Sequence, residues 1–278
     1  MRESCWMQEM TWQEIAAYLE MESIALIPVG ATEQHGPHMT LFMDTGWAVG
    51  IAEGVAKLAG VVVAPPLHYG WGPHHMGYAG TITIRGETLT QLCVDIGESL
   101  VWHGFKKLIF LNGNRVANLP PMQIAASRIR HSTGAYVAVA DTGLIAKKAV
   151  HALCESKEVG AIGHAGESET SYMLYRFPEM VDMSRAVSMK GKKPSRFATS
   201  HSTMEPPFDG ESVYVPLLAE EFRANTEAFQ GVNGDALAAT ADKGRRMHEV
   251  ICRALADFIE QAVRPRQVAL RPLASPPV

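Results

Sequence analysis

Cysteine is scarce: Cys5, Cys93, Cys154 and Cys252 are all that 278 residues contain, and no two stand in a C-x-x-C spacing. A disulfide framework or a thiolate-held zinc needs such pairing, so the thiols read as free and the compartment as reducing. An excess of one charge sign is missing too, since 25 Lys and Arg face 29 Asp and Glu for a formal net charge of −4. No electrostatic footprint is left for nucleic acid or an anionic membrane. No apolar run reaches the roughly 20 residues of a membrane-spanning helix. The opening segment MRESCWMQEMTWQEIAAYLEM carries charges where a signal peptide needs its apolar core, so a cytoplasmic location is expected. Internal repeats are also lacking. What is present is 47% apolar and 19% charged residues, the balance of a globular chain with a real core rather than a disordered one.

Apolar runs alternate with helix-length segments. Strands are expected at residues 24–29, 61–64, 81–84, 107–111 and 136–140, and helices at 46–58, 88–103 and 118–130, where apolar positions recur at helical spacing. Thr45 and Asn118 suit N-caps, and Pro120 suits the first turn of its helix. Strands that are continuously apolar rather than alternating imply a mostly parallel sheet covered on both faces. In such sheets function sits in loops leaving the carboxyl ends of strands. Residues 185–235, basic at MKGKKPSR and then rich in Pro and Gly, read as a long surface excursion. Residues 236–263 read as a C-terminal helix. With no composition break, residues 1–265 are taken as one domain and 266–278 as a loose Pro-rich tail.

Three clusters carry chemistry. The first is GATEQHGPHMTLFMD, directly after the first strand. Glu33 and His35 are two apart, so in an extended segment they point to one side, and Asp44 returns before a helix. One imidazole and two carboxylates form a donor set suited to Zn²⁺ or Mn²⁺. The competing reading makes Asp44 a helix-terminus charge and Glu33 a surface residue. The second, GHAGESETSYML, holds His164, Glu167 and Glu169, and reads equally as a capping box with Ser168 as cap. The third, GPHHMGYAGTITI, holds His74 and His75, for which a hydrogen-bonded loop role is the commoner outcome.

Together these segments resemble the creatininase (creatinine amidohydrolase) family. Its leading signature, roughly PvGsxEqHGpHLPlxtD, is similar to IPVGATEQHGPHMTLFMD; its H-x-x-FPGT-like segment is similar to His75 through MGYAGT; and its HAGxxETS segment is similar to HAGESETS. The three fall in family order, and GVNGDALAATADKG is family-like as well. The resemblance implies a three-layer αβα sandwich with a mostly parallel central sheet, often built into a hexamer, with a metal centre at the carboxyl end of the sheet. By position it makes Glu33, His35 and Asp44 metal ligands, with Asp44 bridging. His164 becomes the proton-transfer group, and Glu169 a further ligand or acid–base group. The ion is Zn²⁺ or Mn²⁺, one or two per subunit.

Two departures stand out. Where the family has NGHGGN, this chain reads NGNRVAN, so Asn114 replaces a ligand histidine and Val116 replaces a position that is acidic in creatininase itself. An amide oxygen is a weaker zinc ligand than imidazole. Asn114 and Arg115, with His75, are instead assigned to a polar substrate. All five tryptophans (Trp6, Trp12, Trp47, Trp71 and Trp102) precede residue 103, whereas creatininase encloses its flat substrate with tryptophans around the HAGxxETS segment. Creatinine is therefore not the expected substrate. The expectation is a metal-dependent hydrolase that opens a small cyclic carbonyl compound at a C–N bond, with three alternatives. These are C–C opening of an oxidised inositol, a sugar-binding protein, and a metal-dependent isomerase.

Overall fold

The computed structural model describes residues 4–114, 117–157, 162–190 and 216–277. Among these, four strands form a sheet in the order β2-β1-β3-β4: β1 is Ile24–Val29, β2 Val62–Val63, β3 Lys107–Asn112 and β4 Tyr136–Asp141. Every pairing is parallel, with Ile24 opposite Lys107 and Val29 opposite Asn112. Residues alternate in their partners across the sheet. Ile24 and Leu26 of β1 and Ile109 and Leu111 of β3 enter one apolar cluster, whereas Ala25, Ile27, Val29, Leu108 and Phe110 enter the other. Both faces are thus buried, which is why these strands read as unbroken apolar runs.

On the first face lie α2 (Met43–Ala59), α6 (Glu167–Arg176) and α8 (Ala241–Phe258); on the second lie α1 (Trp12–Leu19), α3 (Gly86–Trp102) and α4 (Leu119–Thr133). This is the expected αβα sandwich. Each large aliphatic side chain buried in it contributes about 1.5–3 kcal/mol.

The elements differ from expectation in ways that bear on function. Segment 81–84 is not a ladder strand. Ile82 and Thr83 make only isolated bridges, to Thr32 and Gly70, because this stretch pairs with loops beyond the strand ends. Helix α2 starts at Met43, so Thr45 lies within its first turn and its hydroxyl donates to the carbonyl of Ala31 at 3.3 Å rather than capping. Asn118 does occupy the N-cap position of α4, but its side chain does not cap. Its amide donates to the Gly30 carbonyl at 3.0 Å and accepts from the Trp71 amide at 2.8 Å, tying two loops together. Ser168 sits inside α6, whose N-cap is Gly166, so the capping-box reading fails.

The expected 236–263 helix divides into a 3-10 turn at Ala236–Ala238, then α8 capped by Thr240, then a π-helical turn at Ile259–Val263. Much of the excursion expected at 185–235 lies outside the described residues. Its described part includes α7 (Ala219–Thr226), where Arg223 donates to the Gly77 carbonyl at 2.9 Å. The tail is not loose throughout. The Arg271 backbone amide donates to the Thr133 carbonyl at 2.7 Å, and Leu270 packs against the second cluster.

Candidate metal centre

Because β1 and β3 are adjacent and parallel, the chain segments leaving Val29 and Asn112 emerge side by side. The first carries Glu33 and His35 and then enters α2 with Asp44 in its first turn; the second carries Asn114. The start of α6 adds Glu169, the turn before it adds His164, and a short 3-10 helix at Pro73–Gly77 adds His75. Seven sequence-predicted residues meet in one place. The eighth, Arg115, lies outside the described residues.

His35 is central. Its Nε2 stands 3.5 Å from Asp44 Oδ1 and 3.6 Å from Glu169 Oε2. The other oxygens are otherwise engaged, for Asn114 Nδ2 donates to Glu33 Oε2 at 2.7 Å and to Asp44 Oδ2 at 3.0 Å. Glu33 Oε1 faces His75 Nε2 at 3.3 Å and His164 Nδ1 at 3.7 Å. Glu33, His35, Asp44, His75 and Asn114 are all buried. Three groups of ligand atoms lie within 4.8 Å of one another: Glu33, His35 and Asp44; His35, His164 and Glu169; and Glu33, His75 and His164.

Burying so much charge reshapes its acidity. Burial and the neighbouring Asp44 carboxylate push Glu33 well above the ordinary carboxylate range. Burial opposes a charge on His35, but Asp44, Glu169 and Glu33 outweigh it and lift the imidazole to about 10. His75 and His164 are driven well below their ordinary value, first by burial and then by neighbouring imidazoles. The negative potential that gives His35 its proton affinity is the potential that would hold a cation.

The donor set fits a divalent metal. His35 Nδ1 lies 3.2 Å from the Glu33 carbonyl, which can only accept, so that nitrogen bears hydrogen and Nε2 offers the lone pair. That buried Nε2 has no hydrogen-bond partner. Its 3.5 and 3.6 Å separations from carboxylate oxygens resemble the roughly 3.3–3.5 Å between ligand atoms of a tetrahedral Zn²⁺ with bonds of about 2.0–2.2 Å. Nitrogen and oxygen donors of this kind suit Zn²⁺ and Mn²⁺.

Other residues of the motifs serve different ends. His38 keeps outside the ligand groups, as expected, with Nε2 at 2.9 Å from Thr170 Oγ1. Glu167, for all its proximity in sequence to Glu169, points away. Its carboxylate accepts from the Glu155 and Ser156 amides, the Ser156 hydroxyl and, at 2.6 Å, the Lys243 ammonium. That knot pins the start of α6 and thereby the residue two positions on. Gln34 was not singled out from the sequence, yet its amide contacts both His75 and His164. The one available signal was its position between Glu33 and His35.

Comparison with known proteins gives the same direction throughout. The family profile described as creatininase, creatinine amidohydrolase, matches residues 8–259. The chain is similar to the creatinine amidohydrolase of Pseudomonas putida, with 29% identity over 286 residues, covering 95% of this chain and 100% of that protein. It is 30% identical over 272 residues to the 3-dehydro-scyllo-inosose hydrolase of Thermotoga maritima, covering 92% of this chain and 82% of that one. A mycofactocin precursor peptide peptidase of Mycobacterium ulcerans is 31% identical over 234 residues, covering 80% and 78%. Among solved structures, a manganese form of creatininase superposes with TM-score 0.76 at 29% identity, covering 95% of this chain and 100% of that one. A mutant creatininase of Zn–Zn type matches with TM-score 0.75 at 28% identity and the same coverage.

Proposed function

The chain belongs to the creatininase family, and from that premise we propose that it is a metal-dependent hydrolase opening a small cyclic, carbonyl-bearing substrate at a C–N bond. The observation that carries this reading is the buried, unpartnered Nε2 of His35 directed between the carboxylates of Asp44 and Glu169. Glu33, His35, Asp44 and Glu169 would hold the ion. When bound, it supplies Lewis acidity, lowering the pKa of a water and taking up charge on the substrate carbonyl.

The chain's own residues do the rest. His164, unprotonated because burial disfavours its charge, accepts a proton from the attacking water and returns it to the leaving nitrogen. Glu169 is held by the Ala165 amide at 2.6 Å, which fixes its carboxylate at the end of α6. His75 and Asn114 keep the two oxygens of Glu33 in place. Arg115 remains assigned to substrate.

We assign one ion per subunit, with zinc first and manganese second. Asn114 stands where the family resemblance has a ligand histidine, and both of its partners are carboxylate oxygens, so its NH₂ end faces them. That donor fills the gap between Glu33 Oε2 and Asp44 Oδ2 which a second cation would need.

A second reading rests on the same substitution. The inosose hydrolase is as similar to this chain as the amidohydrolase is. Opening a C–C bond in a cyclic polyol diketone needs the same water and proton relay, the leaving carbanion being stabilised by the second ketone. Metal analysis joined to a screen of lactams, hydantoin-like rings and oxidised inositols tests both. Released amine or ammonia supports C–N cleavage, and a nitrogen-free acid supports C–C cleavage. No turnover by a metal-replete protein on any of them removes both readings. Assembly into a homo-oligomer, a hexamer by family resemblance, is checked by light scattering. Among the described residues no helix is long and apolar enough to cross a membrane.

A further inference from the structure

The geometry points to Gln34 as a positioning residue that sets the tautomers of His75 and His164, making His75 a hydrogen-bond donor to Glu33 rather than a metal ligand and leaving His164 Nδ1 as the free imidazole lone pair of the site. This rests on the reading of the site as hydrolytic only for its consequence; the tautomers themselves are a property of the folded chain.

The orientation of the Gln34 amide is fixed by two backbone groups that permit no exchange of roles. The Gly36 amide, which can only donate, meets Oε1 at 2.9 Å, and the Gly231 carbonyl, which can only accept, meets Nε2 at 3.0 Å. Reversing the amide would set donor against donor and acceptor against acceptor. Both glycines have left-handed backbone, φ 68° at Gly36 and 91° at Gly231. A Cβ on Gly231 would stand 2.2 Å from Gln34 Oε1, so only glycine admits the amide here.

With Nε2 established as the donor end, its second hydrogen faces the imidazoles. His75 Nδ1 lies 3.4 Å away, and His164 Nε2 2.8 Å away. The nearer nitrogen is already committed. His164 Nε2 also lies 2.7 Å from the Gln34 backbone carbonyl, and a carbonyl can only accept. If that nitrogen were bare, two lone pairs would oppose each other at this distance and the carbonyl would go unsatisfied. His164 therefore carries its hydrogen on Nε2, and its close approach to the Gln34 amide is a packing contact between two donors aimed elsewhere. The remaining amide hydrogen goes to His75 Nδ1, which places the His75 hydrogen on Nε2, facing Glu33 Oε1 at 3.3 Å. Every polar atom in the chain of contacts is then satisfied, and the vacant lone pair is His164 Nδ1, 3.7 Å from Glu33 Oε1.

The consequence separates two imidazoles that proximity alone makes equivalent. His75 belongs to one of the three possible ligand groups, but in this tautomer it presents hydrogen and not a lone pair to it. His164 presents the acceptor that a proton relay needs at the start of a turnover.

The test is ¹⁵N-resolved NMR of the histidine rings in the full-length, metal-free protein, with resonances assigned by their loss in His75→Gln and His164→Gln. Both rings should show Nδ1 unprotonated and Nε2 protonated. Finding hydrogen on Nδ1 of either one overturns the inference. A second arm uses Gln34→Glu, whose carboxylate can only accept. His75 Nδ1 should then gain a proton, while His164 keeps hydrogen on Nε2 through the unchanged backbone carbonyl. An unprotonated His75 Nδ1 in that variant also refutes it. Because neither arm reads turnover, a failure of the hydrolase reading leaves these outcomes unaffected.

Discussion

The knot around Glu167 offers a quantitative test of how α6, and with it Glu169, is held. Glu167 is fully buried. Its Oε2 accepts from the Glu155 amide at 2.9 Å, the Ser156 amide at 2.8 Å and the Ser156 hydroxyl at 2.6 Å, while Oε1 meets Lys243 Nζ at 2.6 Å. Lys243 has two further acceptors, the Ala238 carbonyl at 2.8 Å and the exposed Glu155 carboxylate at 3.0 Å. The two partners are therefore unequal. Lys243→Met removes one charge-assisted hydrogen bond and leaves the carboxylate three donors, a cost of about 1.5–3 kcal/mol. Glu167→Gln can present its single oxygen to the ammonium or to the three other donors, never to both, so a buried donor set is orphaned at about 3–5 kcal/mol. At about 3 °C per kcal/mol for a chain of this size, midpoints fall by roughly 5–9 °C and 9–15 °C respectively. The double variant should be less destabilised than Glu167→Gln alone, since no ammonium is left unpaired.

Acidity gives a second handle on the same knot. Burial opposes ionisation of Glu167, but the hydrogen bonds from Lys243, Ser156 and Glu155 outweigh it and hold the carboxyl below its ordinary 4.5. A folded value below the unfolded one stabilises the protein above about pH 4.5, and this is lost as the pH falls through the folded value. Thermal melts followed by circular dichroism from pH 7 downward should show that loss in the wild type and less of it in Lys243→Met. Equal or greater destabilisation by Lys243→Met than by Glu167→Gln would refute the carboxylate as the hub.

Further outcomes follow from the site. Glu33→Gln and His35→Ala should lose bound metal and activity together, whereas His164→Ala should retain metal at full stoichiometry and lose rate by about 10²–10⁴-fold; elemental analysis beside turnover separates them, and full metal binding by His35→Ala would contradict the ligand assignment. Asn114→His should raise the metal content from one ion toward two per subunit, and an unchanged count would return Asn114 to a substrate or structural role. Gly231→Ala should destabilise the protein by more than the ~1–3 kcal/mol of a non-glycine residue at strained backbone, because its Cβ also meets Gln34 Oε1; a melt within a degree of wild type would rule this out.

Much of the architecture was legible in the sequence because fully buried parallel strands need unbroken apolar runs, and residues 24–29 and 107–111 are such runs. What stayed hidden depends on contacts distant in sequence. Thr45 looks like a cap until α2 is seen to begin at Met43, and Asn118 looks like one until its amide is found bridging Gly30 and Trp71. Segment 81–84 has strand composition, yet its partners are loops. Within HAGESETS, spacing cannot say that Glu169 faces His35 while Glu167 faces Lys243, since α6 turns the two to different sides. Gln34 escaped for a related reason: a glutamine between two ligand-type residues has no chemistry until the backbone of Gly36 and Gly231 orients its amide.

The docked C-terminal segment has a practical side. Arg271 is fastened to Thr133, just before β4 begins, and the carbonyl of Arg264 takes the Lys107 ammonium where β3 begins. Both anchor points lie at the starting ends of the strands, and Glu33, His35 and Asn114 lie past their finishing ends, a six-residue strand or roughly 20 Å away. A fusion partner, dye or surface linker attached at this end would leave from the pole opposite the chemistry. The enzyme could then be tethered to a bead or electrode with its reactive face turned outward to the solution.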